Sequence, residues 1–129
     1  MESPIYYRLH LLPKYSNSMD RSVAGGKKVY FSDSGLLNHI GTVTSGQILE
    51  NTVVNQLKNL GKISFYKQRN ESEIDIIYEN EIAFEIKNKG TSKDLQKLDT
   101  RCKKLGISRA YIISYEWSDD PRIIPAMNL

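Results

Sequence analysis

The chain has 129 residues, of which 40% are hydrophobic and 26% are charged, and its formal net charge is +3. This length and composition indicate a soluble protein built around one hydrophobic core. The apolar runs are short and no leader precedes a small-residue cleavage site, so we expect neither a membrane span nor a secretory signal. The single cysteine, Cys102, has no partner for a disulfide or a zinc site, which favours a cytoplasmic location and a packing role for its thiol.

Residues 1–43 are predicted to form an N-terminal arm that packs on the core. Pro4, Pro13 and a glycine pair at 25–26 interrupt this segment, so we expect an extended or hairpin-like arrangement. Its last part, 27–41, is predicted to contain a short strand, a turn at Asp33-Ser34-Gly35 and a helical turn.

Residues 44–129 are predicted to form the core domain. A helix is predicted over about 45–60, because its apolar residues recur at helical intervals. Thr44 and Gln47 have the spacing of a capping box and mark its start. The remaining predicted elements are strands at 63–66, two strands within 71–90, a helix from Thr91 or Ser92 to Gly106, and a strand at 110–114. Because a strand, a helix and a strand normally make a parallel crossover, the order αβββαβ predicts an α/β fold with a mixed central sheet flanked by helices.

Charges are unevenly distributed along this core. Residues 71–85 contain six acids and no Lys or Arg, whereas residues 87–109 contain eight bases against two acids. This polarity is typical of a metal site beside a phosphate-binding surface, although ordinary sorting of solvated charges would produce it too. A basic stripe on the second predicted helix comprises Lys93, Lys97, Arg101 and Lys104. Such a stripe is a solvated face, or a DNA track if it borders the acidic residues.

The acidic segment reads as two strands joined by a tight turn. If residues 79–81 form the loop, Asp75 lies directly opposite Glu85. Side chains alternate across a strand, so Ile74 and Ile76 are predicted to share one face and Asp75 to occupy the other. Two carboxylates so placed destabilise a hairpin and raise the pKa of one of them.

A divalent cation would resolve this conflict. Mg²⁺ prefers oxygen ligands and is held by one or two carboxylates together with a substrate phosphate, and Asp75 and Glu85 would supply those carboxylates. Lys87 follows on the face of Glu85, where it would hold or deprotonate an attacking water or neutralise a phosphate. Glu50, at the border of the apolar stripe of the first helix, is a third acid. The plainer interpretation is a solvent-facing strand surface with a Glu–Lys pair, and an ordinary amphipathic border at Glu50.

Four segments carry a resemblance to a known family. They are "KVYFSDSGLL" (28–37), "GQILENTVVNQL" (46–57), "FYKQRNESEIDIIY" (65–78) and "FEIK" (84–87). Together with Glu50, Asp75 and the triplet Glu85-Ile86-Lys87, they resemble the PD-(D/E)XK nuclease superfamily. Within it, they are similar to the uncharacterised nuclease-like C-terminal domain of prokaryotic AAA-type ATPases. The resemblance covers roughly residues 28–115, and Ile74 stands where the superfamily has proline.

The resemblance implies a restriction-endonuclease-like core. It assigns Asp75 and Glu85 to binding of Mg²⁺ or Mn²⁺, Glu50 to a supporting metal or water contact, and Lys87 to water activation or charge stabilisation, so that all four would be catalytic. It also implies that an ATPase module belongs to the same parent protein, and that residues 5–31 are the end of a winged-helix wing.

The predicted function is therefore Mg²⁺-dependent DNA endonuclease activity. Candidate substrate contacts are Gln68, Arg69, Lys89, Lys93 and Lys97. The alternative is a non-catalytic DNA-binding or docking module of the ATPase, or an oligomerisation domain, and a homo-oligomer remains open. The eight tyrosines and Trp117 show no stacking motif for single-stranded nucleic acid, so we expect them to pack.

Overall fold

The computed structural model describes residues 9–15, 27–31, 44–68 and 73–128. The turn predicted at 33–35, the helical turn that follows it, and Arg69 lie outside these residues. Within the described ranges, no helix is both long enough and apolar enough to cross a membrane.

The described residues form seven strands and two α-helices. In chain order they are β1 (Leu9–Pro13), β2 (Lys27–Phe31), α1 (Ser45–Lys58), β3 (Ile63–Lys67), β4 (Glu73–Tyr78), β5 (Ile82–Lys87), α2 (Ser92–Leu105), β6 (Arg109–Ser114) and β7 (Ile123–Pro125), with a 3-10 turn at Ala126–Asn128. The main sheet has the strand order β3-β4-β5-β6-β7. β4 pairs antiparallel with both β3 and β5, whereas β6 pairs parallel with both β5 and β7. The predicted α/β fold and the order αβββαβ are confirmed, and β7 is an addition that the sequence pattern did not indicate.

Both helices begin where their capping boxes place them. The Gln47 amide N–H donates to Thr44 Oγ1 at 3.1 Å, and the Thr44 N–H donates to the Gln47 side chain at 2.9 Å. Thr91 and Asp94 exchange the equivalent pair of bonds at the start of α2. Gly106 ends α2 with a φ of 74°, a left-handed conformation that glycine adopts without strain. Helix α1 ends two residues earlier than predicted.

Apolar side chains pack on both faces of the main sheet. On one face, which we call the α1 side, α1 covers a cluster that consists of Leu12, Tyr30, Leu49, Val53, Val54, Leu57, Ile63, Phe65, Ile76, Phe84 and Ile113. On the other face, the α2 side, α2 covers Ile74, Ile77, Ala83, Leu95, Leu98, Cys102, Ile107, Ala110, Ile112 and Ile123. Burial raises the pKa of the Cys102 thiol to about 11, so the packing role predicted for this cysteine is confirmed.

The N-terminal arm contributes a two-stranded ladder. β1 and β2 pair antiparallel, and the chain after β1 reaches the free edge of β3, where the Tyr15 N–H donates to Phe65 O at 2.5 Å. Leu12 and Tyr30 are buried in the α1-side cluster. This docking brings alternate residues of β2 next to the acidic strand β4.

An extra residue interrupts the pairing of β3 with β4. Ser64 pairs with Ile77 and Tyr66 pairs with Ile74, so β3 advances by two residues while β4 advances by three. A single residue, Phe65, therefore opposes two residues of β4. This is the arrangement of a β-bulge, which bends a strand and redirects a side chain.

The bulge overturns the predicted alternation of β4. Ile74 packs with Ile77 on the α2 side, whereas Ile76 packs on the α1 side. The prediction that Ile74 and Ile76 share a face is therefore wrong. The physical reason is that an unpaired residue shifts the two-residue period by one position, and this shift falls at Asp75.

The β4–β5 hairpin keeps the register that the sequence predicts. Ile76 pairs with Phe84, and the ladder continues from this pair to the turn. In the turn, Glu79 and Asn80 have φ values of 51° and 59°. Positive values at both central positions are those of a type I′ turn, whose twist suits a tight hairpin.

Candidate functional site

Asp75 lies at the bulge, beside the point where the β4–β5 ladder ends. Its Oδ2 accepts a hydrogen bond of 2.9 Å from the backbone N–H of Ile86 on β5. The carboxylate therefore lies between the two strands rather than out in solvent. This position allows it to approach groups on both sides of the sheet.

Glu85 is buried although it carries an ionisable group. Only 9% of the residue is exposed, and its Oε2 has no hydrogen-bond donor among the described residues. Among the described residues, the nearest cation is Arg101 of α2, whose Nη1 lies 3.8 Å from that oxygen. A buried charge without a full set of hydrogen bonds is costly, so this carboxyl does not belong to the solvated strand surface that the plainer interpretation requires.

The two carboxyl groups perturb each other. Burial, followed by the charge of Asp75, raises the pKa of Glu85 from 4.5 to about 8, and a hydrogen bond between the two carboxyls adds to this rise. Lys87 and Arg101 lower that pKa by less. Burial also raises the pKa of Asp75, partly offset by the Ile86 N–H. The predicted convergence of two acids from neighbouring strands is therefore present, and near neutral pH it retains a proton.

Glu50 lies on the α1 side, close enough for its charge to act on the Asp75 carboxyl. Its Oε1 accepts a 2.7 Å hydrogen bond from the Tyr30 hydroxyl. Burial and the charge of Glu50 raise the pKa of Tyr30 well above 10, so this hydroxyl stays protonated and keeps donating. The charge of Glu50 also contributes to the raised pKa of Asp75.

Lys28 of β2 joins the same acidic group. Its Nζ donates to Glu73 Oε1 at 2.6 Å and lies 3.8 Å from Glu50 Oε1. The ammonium also lies 5.0 Å from the centre of the Phe65 ring. Glu50, Glu73, Asp75 and Glu85, together with Lys28, Tyr30, Lys87 and Arg101, form what we call the acidic site.

Arg101 connects α2 to the acidic site. Its Nη1 donates to the Glu73 carbonyl at 2.7 Å, at the start of β4. The side chain is therefore engaged at the sheet, unlike Lys93, Lys97 and Lys104, which are exposed on the rest of the predicted stripe. Only this one member of the stripe reaches the acidic residues.

The other predicted site residues lie farther out. Lys87 is exposed, at the end of β5, and still lowers the pKa of Glu85. Gln68 and Lys89 are exposed in loops, and Arg69 lies outside the described residues. The candidate substrate contacts thus remain predictions.

The donor set fits a small, hard cation with few protein ligands. In the described part of the chain, no group of three or more His, Cys, Asp or Glu side chains is arranged to hold a metal ion. Asp75 and Glu85 nevertheless offer two carboxyls, one with an unbonded buried oxygen. One or two carboxylates plus waters and a phosphate are the usual ligands of Mg²⁺, so the residues present fit such an ion.

Sequence reasoning missed Lys28, Tyr30, Glu73 and Arg101 as members of the acidic site. A signal existed for Arg101, which follows Leu98 by three positions and so borders the buried stripe of α2. For Lys28 and Tyr30 the signal was their shared face on a two-residue period. Nothing in the sequence placed that face against β4.

Two aromatic side chains contradict the expectation of packing. Tyr115 is 71% exposed and Trp117 is 74% exposed, both in the loop after β6. The Tyr115 N–H donates to Lys87 O at 3.1 Å, which places the start of this loop beside the end of β5.

The fold and the acidic site together define an α/β domain with a mixed sheet and an acid pair at the junction of two central strands. Residues 45–129 match the DUF4143 family, a domain of unknown function, and the chain belongs to that family. Comparisons with curated proteins and with solved structures give no match.

Proposed function

We propose that this domain hydrolyses phosphodiester bonds of DNA with the help of Mg²⁺ or Mn²⁺. The observation that carries the proposal is the Asp75–Glu85 pair, in which a buried carboxylate oxygen lacks a hydrogen-bond donor among the described residues. Lys87 lies at the end of β5, two residues after Glu85, and its charge lowers the pKa of Glu85, which supports the role that the Glu-x-Lys resemblance implies. The resemblance to nucleases also supports this chemistry, but the proposal rests on the side chains of the acidic site, because one fold can carry many functions.

Asp75 and Glu85 would bind the cation. When bound, such an ion offsets phosphoryl charge and lowers the pKa of a coordinated water. The Ile86 N–H fixes the orientation of the Asp75 carboxylate, and Arg101 restrains Glu85 from the α2 side. Glu50, aligned by Tyr30, would contact a water on the α1 side.

Lys87 would act on the phosphate or on the attacking water. Its ammonium is exposed and therefore accessible to a polyanionic substrate, while its charge still acts on Glu85. An ammonium beside the scissile phosphate stabilises the charge that develops during attack. The exposed Lys89, Lys93 and Lys97 would bind flanking phosphates, a contribution that salt weakens.

Cleavage assays test the proposal. The protein is incubated with branched, single-stranded and duplex DNA, with Mg²⁺, with Mn²⁺, or with a chelator. We expect metal-dependent cleavage that Asp75→Asn and Lys87→Met both abolish. Lys103→Met is the matched control, because it removes an equal charge from an exposed position on α2. Cleavage that persists in Asp75→Asn would assign the activity to a contaminant or to another site.

A non-catalytic docking module is the second candidate. The exposed Tyr115 and Trp117 favour it, because large aromatic side chains are enriched at protein interfaces. In the same assay, salt-sensitive DNA binding without cleavage would support this candidate. We further propose that the partner is an ATPase module of the same parent protein, and that both act in the cytoplasm.

A further inference from the structure

The two sides of the acidic site differ in how closely a positive charge approaches the carboxylates. On the α1 side, the Lys28 ammonium lies 2.6 Å from Glu73 Oε1 and 3.8 Å from Glu50 Oε1. Near Glu85, the closest cation in the described part of the chain is Arg101, whose Nη1 lies 3.8 Å from Oε2 without a hydrogen bond to that oxygen. One side thus has a closely bound positive charge, and the other has a buried carboxylate oxygen that lacks a donor among the described residues.

The surroundings of Lys28 hold its ammonium in place. The side chain is 25% exposed and therefore cannot extend freely into water. Its ammonium lies 5.0 Å from the Phe65 ring centre, close enough for a cation–π contact. Lys28 lies on β2, which pairs with β1. On the same strand, the Tyr30 hydroxyl donates a hydrogen bond to Glu50.

We propose that Lys28 is a tethered cation that fills the α1 side of the acidic site, so that the site accepts one divalent ion, at Asp75 and Glu85, and excludes a second. Glu50, Glu73 and Asp75 are the acids whose charge Lys28 offsets. Without an ammonium there, these acids repel one another, and a hard divalent ion is the natural replacement.

This inference deepens the proposed function and rests on cation binding at the acid pair. It concerns a residue outside the family match, since Lys28 precedes residues 45–129. The N-terminal arm would thereby set the number of ions that the domain binds.

The test compares the wild-type chain with Lys28→Met, which removes the charge but keeps most of the length. Bound Mn²⁺ is counted by electron paramagnetic resonance of the free ion, and the melting temperature is measured with chelator and with Mn²⁺. We expect Lys28→Met to bind one more ion than the wild type, to melt lower in chelator, and to recover more on adding Mn²⁺. Lys103→Met should match the wild type in all three respects.

A double variant keeps the inference testable if Lys28→Met folds poorly. Lys28→Met with Glu73→Gln removes one charge of each sign, so it should regain most of the lost melting temperature and should not bind the additional ion.

Equal ion counts in the wild type and Lys28→Met would overturn the inference, as would an unchanged melting temperature in chelator. If the wild type binds one ion and Lys28→Met also binds one, the inference fails and the proposed function stands. If the wild type binds no ion, the proposed function fails and the inference fails with it, whatever Lys28→Met binds.

Discussion

Replacing Glu85 by glutamine should change how stability depends on pH. In the folded chain the pKa of Glu85 is raised from 4.5 to about 8. Between these two values the folded state retains a proton that the unfolded state has released. The wild type should therefore lose stability as pH rises through this window, and Glu85→Gln should lose most of that slope.

The size of the effect follows from the shift. At about 1.36 kcal/mol per pKa unit, the rise in the Glu85 pKa corresponds to about 5 kcal/mol over the full titration, of which about 3 to 4 kcal/mol falls between about pH 5 and about pH 8. Asp75, whose pKa is also raised, adds to the slope in the same direction. Because glutamine cannot ionise, Glu85→Gln should be more stable than the wild type at about pH 8 and similar to it at about pH 5.

Urea unfolding followed by far-ultraviolet circular dichroism at several pH values measures these free energies, with chelator present throughout. Glu116→Gln is the matched control, because Glu116 is exposed and should leave the wild-type slope unchanged. A wild-type free energy of unfolding that stays constant or increases from about pH 5 to about pH 8 would refute a proton held by the acid pair.

Three further changes test other parts of the structure. Arg101→Met removes a cation that lowers the pKa of Glu85, so that pKa should rise further in a carboxyl NMR titration, and urea unfolding should show a loss of about 1–2 kcal/mol. Gly90→Ala would place a β-carbon 2.9 Å from Ile112 Cγ2, and a loss of about 1–3 kcal/mol in the same unfolding assay is expected. Thr91→Ala removes the capping box of α2 and should cost about 1 kcal/mol, with restoration by serine; equal stability of the alanine variant would show that the cap is dispensable.

The elements that local chemistry determines were predicted well from the sequence. Thr44 with Gln47 places the start of α1, because a capping box satisfies two amide groups through side chains three residues apart. The turn at Glu79 and Asn80 likewise fixes the register of the β4–β5 hairpin. Each of these features depends on residues that are near one another in the chain.

The features that sequence reasoning missed depend on distant contacts. The β4 bulge arises from its pairing with β3, and no residue type in β4 marks the extra position. Lys28 lies 45 residues before its partner Glu73, so its role depends on how the N-terminal arm docks. The proximity of Asp75 and Glu85 could be predicted because the register of one hairpin relates the two residues. Arg101 could not be predicted in the same way, because it lies on α2, in the crossover between β5 and β6.

The surplus position in β4 makes the acid pair separable from the architecture around it. Deleting Asp75, one of the two residues that oppose Phe65, would let β3 and β4 run as an unbroken ladder, with Ile74 and Ile77 still on the α2 side and Ile76 still on the α1 side. The same deletion would leave the buried carboxyl of Glu85 without its partner on β4. Relatives of this domain that keep the fold but lack the acid pair should therefore be recognisable by a β4 that is one residue shorter.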